Sequence, residues 1–237
     1  MAFDKTRFGG VVAPIVNPCG EDDSLDRGAL EANLTRLLAT DVAGLYINGG
    51  TGDAANLTQD ERLETAALLV PRLLAAGKLA IVHVGQTNQR QAVELARQAA
   101  ALGAHAVASI PPKKPWPQIV EYYKALAAAG APVIVYYIPG VTGMTAGMPE
   151  LRMLLDIPGV AGIKMSDWNI FLLRSVVLEY PEKVVYSGFD EMLVPGLLYG
   201  ADGCIGTWAN LLPDLYAKVY ARVRAGGTDA VKPVMDE

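Results

Sequence analysis

Apolar residues along this chain fall into short unbroken runs, and longer stretches of helical periodicity separate them. The runs are Gly10–Val16, Gly44–Asn48, Leu79–Val84, Ala106–Ile110, Val133–Ile138, Val160–Lys164, Val184–Ser187 and Gly203–Gly206. Continuous rather than alternating apolar runs predict parallel strands covered on both faces. Between them lie helix start signals. Ser24 or Asp26 opens the first, Thr58-Gln-Asp-Glu61 reads as a capping box, Asn88 caps the third, and Pro213 suits the first turn of the last. A small repeat marks the helix-to-strand turns: Asp-Val-Ala-Gly44, Gly-Ala-His-Ala106, Gly-Val-Ala-Gly162 and Gly-Ala-Asp-Gly203. Glycine after a helix and small residues at the strand entry are what a tight αβ turn needs. Eight strands with helices between them predict an α/β fold, a single (β/α)8 TIM barrel over residues 1–237. A doubly wound open sheet is the alternative.

Composition narrows the function classes. The 237 residues are 51% hydrophobic and 19% charged, ample material for a buried core. A net charge of −5 argues against a nucleic-acid or anionic-membrane partner, which would need a basic face. Cys19 and Cys204 are far apart and read as reduced thiols. His83 and His105, the two histidines, lie in apolar runs and read as core or rim residues, so no metal is expected. The N-terminal Met-Ala-Phe-Asp-Lys has no apolar signal segment. The uncharged stretch Ala125–Pro149 is broken by Gly130, Pro132, Pro139 and Gly140. It therefore predicts a strand rather than a membrane span. The expectation is a soluble, cytoplasmic protein.

In a barrel of this kind the chemistry sits where strands end. Lys164 ends the sixth run. Such a lysine can snorkel to solvent. Held at the mouth and withdrawn from water, an amine instead becomes a nucleophile toward ketones. Tyr136 ends the neighbouring fifth run, at a height that would bring its phenol near an imine carbon, where aldol cleavage needs a proton acceptor. Tyr137 beside it reads as packing. After the second run, Asn48-Gly-Gly-Thr-Gly-Asp53 matches neither nucleotide fingerprint. It reads either as a plain βα turn or as exposed N–H groups and the Thr51 hydroxyl suited to one carboxylate. Asp190 and Glu191 follow the seventh run and Thr207 the eighth. The acid pair can charge a helix N-terminus or accept hydrogen bonds from a polyol.

Together these stretches resemble the N-acetylneuraminate lyase / dihydrodipicolinate synthase family of pyruvate-dependent class I aldolases, over nearly the whole chain. The resemblance rests on Gly49–Asp53, Tyr136–Gly143, Gly162–Ser166, Gly188–Glu191 and Gly200–Gly206. It implies that Lys164 forms a Schiff base with pyruvate, that Tyr136 shuttles a proton, and that Gly50 and Thr51 hold the pyruvate carboxylate. Gly188, Asp190, Glu191, Ser166 and Thr207 would then line the polyol end. No organic cofactor is implied, and the partners are pyruvate and a sugar aldehyde or sugar acid.

Val141 stands where the synthase branch carries an arginine, and Gly-Phe-Asp-Glu191 is similar to the lyase branch. His83-Val-Gly and Lys114-Pro-Trp116 are similar to that branch too. The expected activity is reversible cleavage of N-acetylneuraminate to pyruvate and N-acetylmannosamine. The alternatives are an aldolase or dehydratase of another 2-keto-3-deoxy sugar acid, a dihydrodipicolinate synthase-like enzyme, or a non-catalytic sugar-acid binder. Gly50 replaces a usual Ser or Thr, Asp53 a usual Glu, and Pro111–Pro115 lacks the aromatic pair that often serves a neighbouring subunit. The family continues into a C-terminal helical extension that this chain, stopping at Glu237, is expected to lack. A homotetramer is the family's expected assembly.

Overall fold

The computed structural model describes residues 3–226. Within them eight parallel strands close in sequence order into a barrel, which excludes the open doubly wound sheet. The strands are β1 Gly10–Pro14, β2 Gly44–Ile47, β3 Leu79–His83, β4 Ala106–Ser109, β5 Val133–Tyr137, β6 Val160–Met165, β7 Val184–Ser187 and β8 Gly203–Cys204. Each matches one apolar run to within two residues. The helices are α1 Arg27–Leu38, α2 Gln59–Ala75, α3 Gln89–Ala101, α4 Trp116–Ala127, the single turn α5 Pro139–Thr142, α6 Met148–Leu155, α7 Ile170–Glu179, α8 Leu193–Leu198 and α9 Pro213–Gly226.

The helix starts follow the predicted chemistry. Asp26, rather than Ser24, caps α1 through the Ala29 N–H, and Asn88 caps α3 through the Arg90 N–H. Thr58 and Glu61 form the reciprocal capping box of α2. Gly103, Gly159 and Gly200 take positive φ angles of 85°, 90° and 100°. Three of the four repeat turns therefore need a residue that tolerates the left-handed region. The stretch Ala125–Pro149 is the end of α4, then β5, then α5 and the first residues of α6. Among the described residues no helix is long and apolar enough to cross a membrane.

Two cores result from the alternation of faces along each strand. Outward residues such as Leu45, Ile47, Val133, Val135, Ile163 and Val185 pack beneath the helices. Inward residues fill the barrel: Val12, Tyr46, Ile81, Ala108, Ile134, Tyr136, Val184, Tyr186 and Ile205. A 3-10 turn at Lys5–Phe8 closes the bottom, with Phe8 in the inner core and its carbonyl accepting from Tyr186 Oη at 2.6 Å. His105 lies outside this interior, with Nε2 3.1 Å from the Arg7 guanidinium and Nδ1 accepting from the Ala80 N–H.

One irregularity positions the site. β5 and β6 pair Val133 with Val160 but Ile134 with Gly162, so Ala161 is an extra residue. A bulge of this kind re-aims every later side chain. Without it Tyr136 would pair with the outward-facing Ile163; with it, Tyr136 pairs with Lys164 and both face the barrel interior. Gly162 permits this closure, because a Cβ there would collide with the Val184 carbonyl.

Candidate active site

Lys164 is buried on β6, flanked in the ladder by Tyr136 and Tyr186. Its Nζ lies 4.1 Å from the centroid of the Tyr136 ring and 4.9 Å from that of Tyr46. The Tyr136 phenol accepts from Ser166 Oγ at 3.4 Å. Tyr137 points the other way, into the outer core, where its phenol accepts from the Ala146 N–H at 3.1 Å.

Above the lysine opens a cavity of about 350 Å³ at the C-terminal ends of the strands. Its walls include Gly50, Thr51, Tyr136, Lys164, Ser166, Gly188, Asp190, Glu191 and Thr207. All nine residues singled out from the sequence thus meet around one space. Pro14, Tyr46, Ile138, Phe189 and Ile205 complete the lining and carried no sequence signal beyond apolarity. A neighbouring cavity of about 600 Å³ shares Gly50 and is lined by Lys113, Lys114, Arg62 and His83.

The glycine-rich turn is pinned from below. Asn17 Nδ2 donates to the Gly52 carbonyl at 2.7 Å, and a Cβ on Gly52 would come within 2.8 Å of the Ile15 carbonyl. Internal bonds of the turn use the N–H groups of Gly52, Asp53 and Ala54, which leaves those of Gly50 and Thr51 outside them. Thr51 Oγ1 lies 2.8 Å from Thr207 Oγ1, bridging the loops after β2 and β8. Two hydroxyls and two free backbone donors are suited to an anionic carboxylate.

Asp190 is more occupied than the sequence suggested. Its carboxylate accepts from the N–H groups of Thr207 (2.9 Å) and Trp208 (3.2 Å), the start of a 3-10 turn over Thr207–Asn210. Burial, with Asp190 beside it, holds the Tyr216 phenol protonated far above the usual phenol range. Gly206 must lack a side chain, because a Cβ there would collide with this carboxylate. Asp190 therefore fixes Thr207. Removing it by Asp190→Ala should cost roughly 0.5–1.5 kcal/mol of stability, read from urea unfolding, through loss of two hydrogen bonds at the exposed start of the turn. Glu191 is exposed at the rim. Gly188 lets the loop after β7 approach Ser166, whose Oγ an added Cβ would strike.

His83 is buried beside the aromatic residues, with Nε2 accepting from the Ile110 N–H at 3.2 Å. Burial first, then the charges of Arg62 and Lys164, push its pKa down to about 3. The ring is therefore neutral at physiological pH and carries its proton on Nδ1. Because the unfolded chain binds this proton below about 6.5 and the folded chain does not, stability present above that pH is lost as pH falls toward 3. The slope is about 1.4 kcal/mol per pH unit. A His83→Gln variant should lose that slope between pH 6.5 and pH 5, and parallel urea-midpoint curves would contradict it.

The fold and the sequence have counterparts among known proteins. Residues 7–236 match the dihydrodipicolinate synthetase family. The chain belongs to this family. An N-acetylneuraminate lyase of Rhizobium meliloti (strain 1021) is 34% identical over 223 residues, covering 92% of this chain and 73% of the relative. One from Escherichia coli (strain SMS-3-5 / SECEC) is 27% identical, covering 98% and 80%. The crystal structure of YagE, a prophage protein of the dihydrodipicolinic acid synthase family from E. coli K12 in complex with pyruvate, superposes with a TM-score of 0.90. It is 25% identical, with 97% of this chain and 80% of that one covered. Both sequence relatives are named as lyases, and the chain is a lyase of this family's aldolase type.

Proposed function

We propose that the chain is a pyruvate-dependent class I aldolase that reversibly cleaves N-acetylneuraminate to pyruvate and N-acetylmannosamine, with Lys164 as the imine-forming amine. The observation that carries this reading is the position of Lys164 Nζ, buried at the cavity floor against the Tyr136 ring. An unprotonated amine there attacks the substrate's C2 ketone. Tyr136 gives its proton to the carbinolamine hydroxyl, water leaves, and a protonated imine faces a phenolate. The phenolate then takes the proton of the C4 hydroxyl. The C3–C4 bond breaks, its electrons pass through C3 toward the imine nitrogen, and the aldehyde departs from an enamine. Protonation at C3 and hydrolysis release pyruvate and restore the amine.

In this reading Gly50, Thr51 and Thr207 hold the carboxylate. Ser166, Gly188, Asp190 and Glu191 face the polyol, with Asp190 acting partly through Thr207. Names of the relatives support the sugar-acid assignment, and the pyruvate bound to YagE supports the keto acid. Val141, exposed on the turn after β5, is an apolar residue and itself offers no cation to a second carboxylate. A homotetramer is proposed on family resemblance, for light scattering to check.

One observation favours a second reading, another 2-keto-3-deoxy sugar acid as substrate. A Cβ on Gly50 would meet nothing within 4 Å, so packing does not account for the absence of a hydroxyl side chain at that position. Pyruvate release from N-acetylneuraminate and from 2-keto-3-deoxygluconate, followed side by side with N-acetylmannosamine, separates the two. We expect faster release from N-acetylneuraminate, with one N-acetylmannosamine per pyruvate. Release from 2-keto-3-deoxygluconate alone would replace the first reading by the second.

A further inference from the structure

Lys164 has no carboxylate partner among the described residues. Two ring faces surround its amine instead. The Tyr46 and Tyr136 rings meet edge to face, 6.3 Å apart at 89°, and Nζ lies within cation–π range of both.

Tyr46 is held with unusual firmness for a residue with no hydrogen bond. It is buried on β2, and its phenol oxygen finds no partner among the described residues. Backbone clamps the ring: a Cβ on Gly49 would lie 2.6 Å from Tyr46 Cε1. The His83 ring packs on another side, with centroids 6.0 Å apart. Burial, with Tyr136 nearby, pushes ionisation of the Tyr46 phenol well above the ordinary range, so it stays protonated and uncharged at neutral pH and does not act as a base. What remains for it to contribute is the face of its ring.

We infer that Tyr46 is a further working residue of the site, whose ring face stabilises the positive charge that Lys164 Nζ acquires in the protonated imine. This rests on the reading that Lys164 carries the imine. The nitrogen is neutral in the attacking amine and in the carbinolamine and gains its charge as water leaves, so the ring face favours the protonated imine over both. During C–C cleavage that charge is neutralised in the enamine. Tyr46 therefore governs how much pyruvate imine forms and does little to speed cleavage. The inference also accounts for Gly49, the first glycine of the turn, which leaves the ring its place.

Fluorination tests the face without altering the packing. Tyr46→Phe, and analogues carrying one and three ring fluorines incorporated at the same position, weaken the quadrupole stepwise at nearly constant shape. The measurement is the pyruvate concentration giving half-maximal borohydride trapping on Lys164 in the full chain. Tyr46→Phe should stay within roughly threefold of the unsubstituted protein, and the trifluorinated ring should need roughly tenfold more pyruvate. Cleavage of the saturated enzyme should not slow in step. A flat series with adduct still forming overturns this inference alone. No adduct in the unsubstituted chain overturns the Lys164 reading, and this inference with it.

Discussion

Lys164→Ala should lower pyruvate release from the substrate by on the order of 10⁴-fold or more, because among the described residues no other lysine lines the cavity. The substituted chain should still fold. The lysine makes no salt bridge among the described residues, and its removal takes a buried polar group out of the barrel interior. Urea unfolding should therefore show stability equal to or above that of the parent. Retained turnover in a folded Lys164→Ala protein would remove the covalent route altogether. Lys164→Arg is an informative companion. It keeps a cation between the two rings, but a guanidinium is not nucleophilic at neutral pH, so it should be equally inactive.

Tyr136→Phe should separate imine chemistry from bond cleavage. The ring face beside Nζ survives this change, while the proton carrier is lost. Cleavage should fall by roughly 10² to 10⁴-fold, the usual contribution of a positioned general acid or base. Trapping of pyruvate by borohydride should fall less, since solvent water entering the cavity can protonate the departing carbinolamine hydroxyl. Ser166 Oγ, which donates to the Tyr136 oxygen, would lose that acceptor. Ser166→Ala should consequently give a smaller loss of the same kind. Equal loss of trapping and cleavage in Tyr136→Phe would mean that the phenol serves imine formation alone.

Much of this arrangement was legible in the chain. Apolar runs located every strand, and the capping residues Asp26, Thr58 and Asn88 act as their chemistry implies. The runs overshot strand ends at Val16, Ile138 and Gly206 because apolar residues continue into the loops, where Ile138 and Ile205 line the cavity. Strand-end position pointed to Lys164 and Tyr136, but their common height depends on the extra residue at Ala161. An apolar run gives no sign of a bulge when both faces are buried.

Two residues changed meaning in three dimensions. Tyr46 in Gly-Leu-Tyr-Ile47 looks like core, and only the barrel's closure brings its ring to the lysine across from it. Asp190 looked free to meet a polyol, yet its carboxylate is engaged by the Thr207 and Trp208 N–H groups. Both depend on contacts between loops or strands far apart in sequence, which local patterns do not record.

The covalent role of Lys164 is tested most directly by reducing the protein with borohydride in the presence of pyruvate and mapping the modified peptide by mass spectrometry. The predicted result is one pyruvyl adduct per chain, on the peptide bearing Lys164, with Lys113, Lys114 and the remaining lysines unmodified. An adduct on any other lysine, or none at saturating pyruvate, would contradict the assignment.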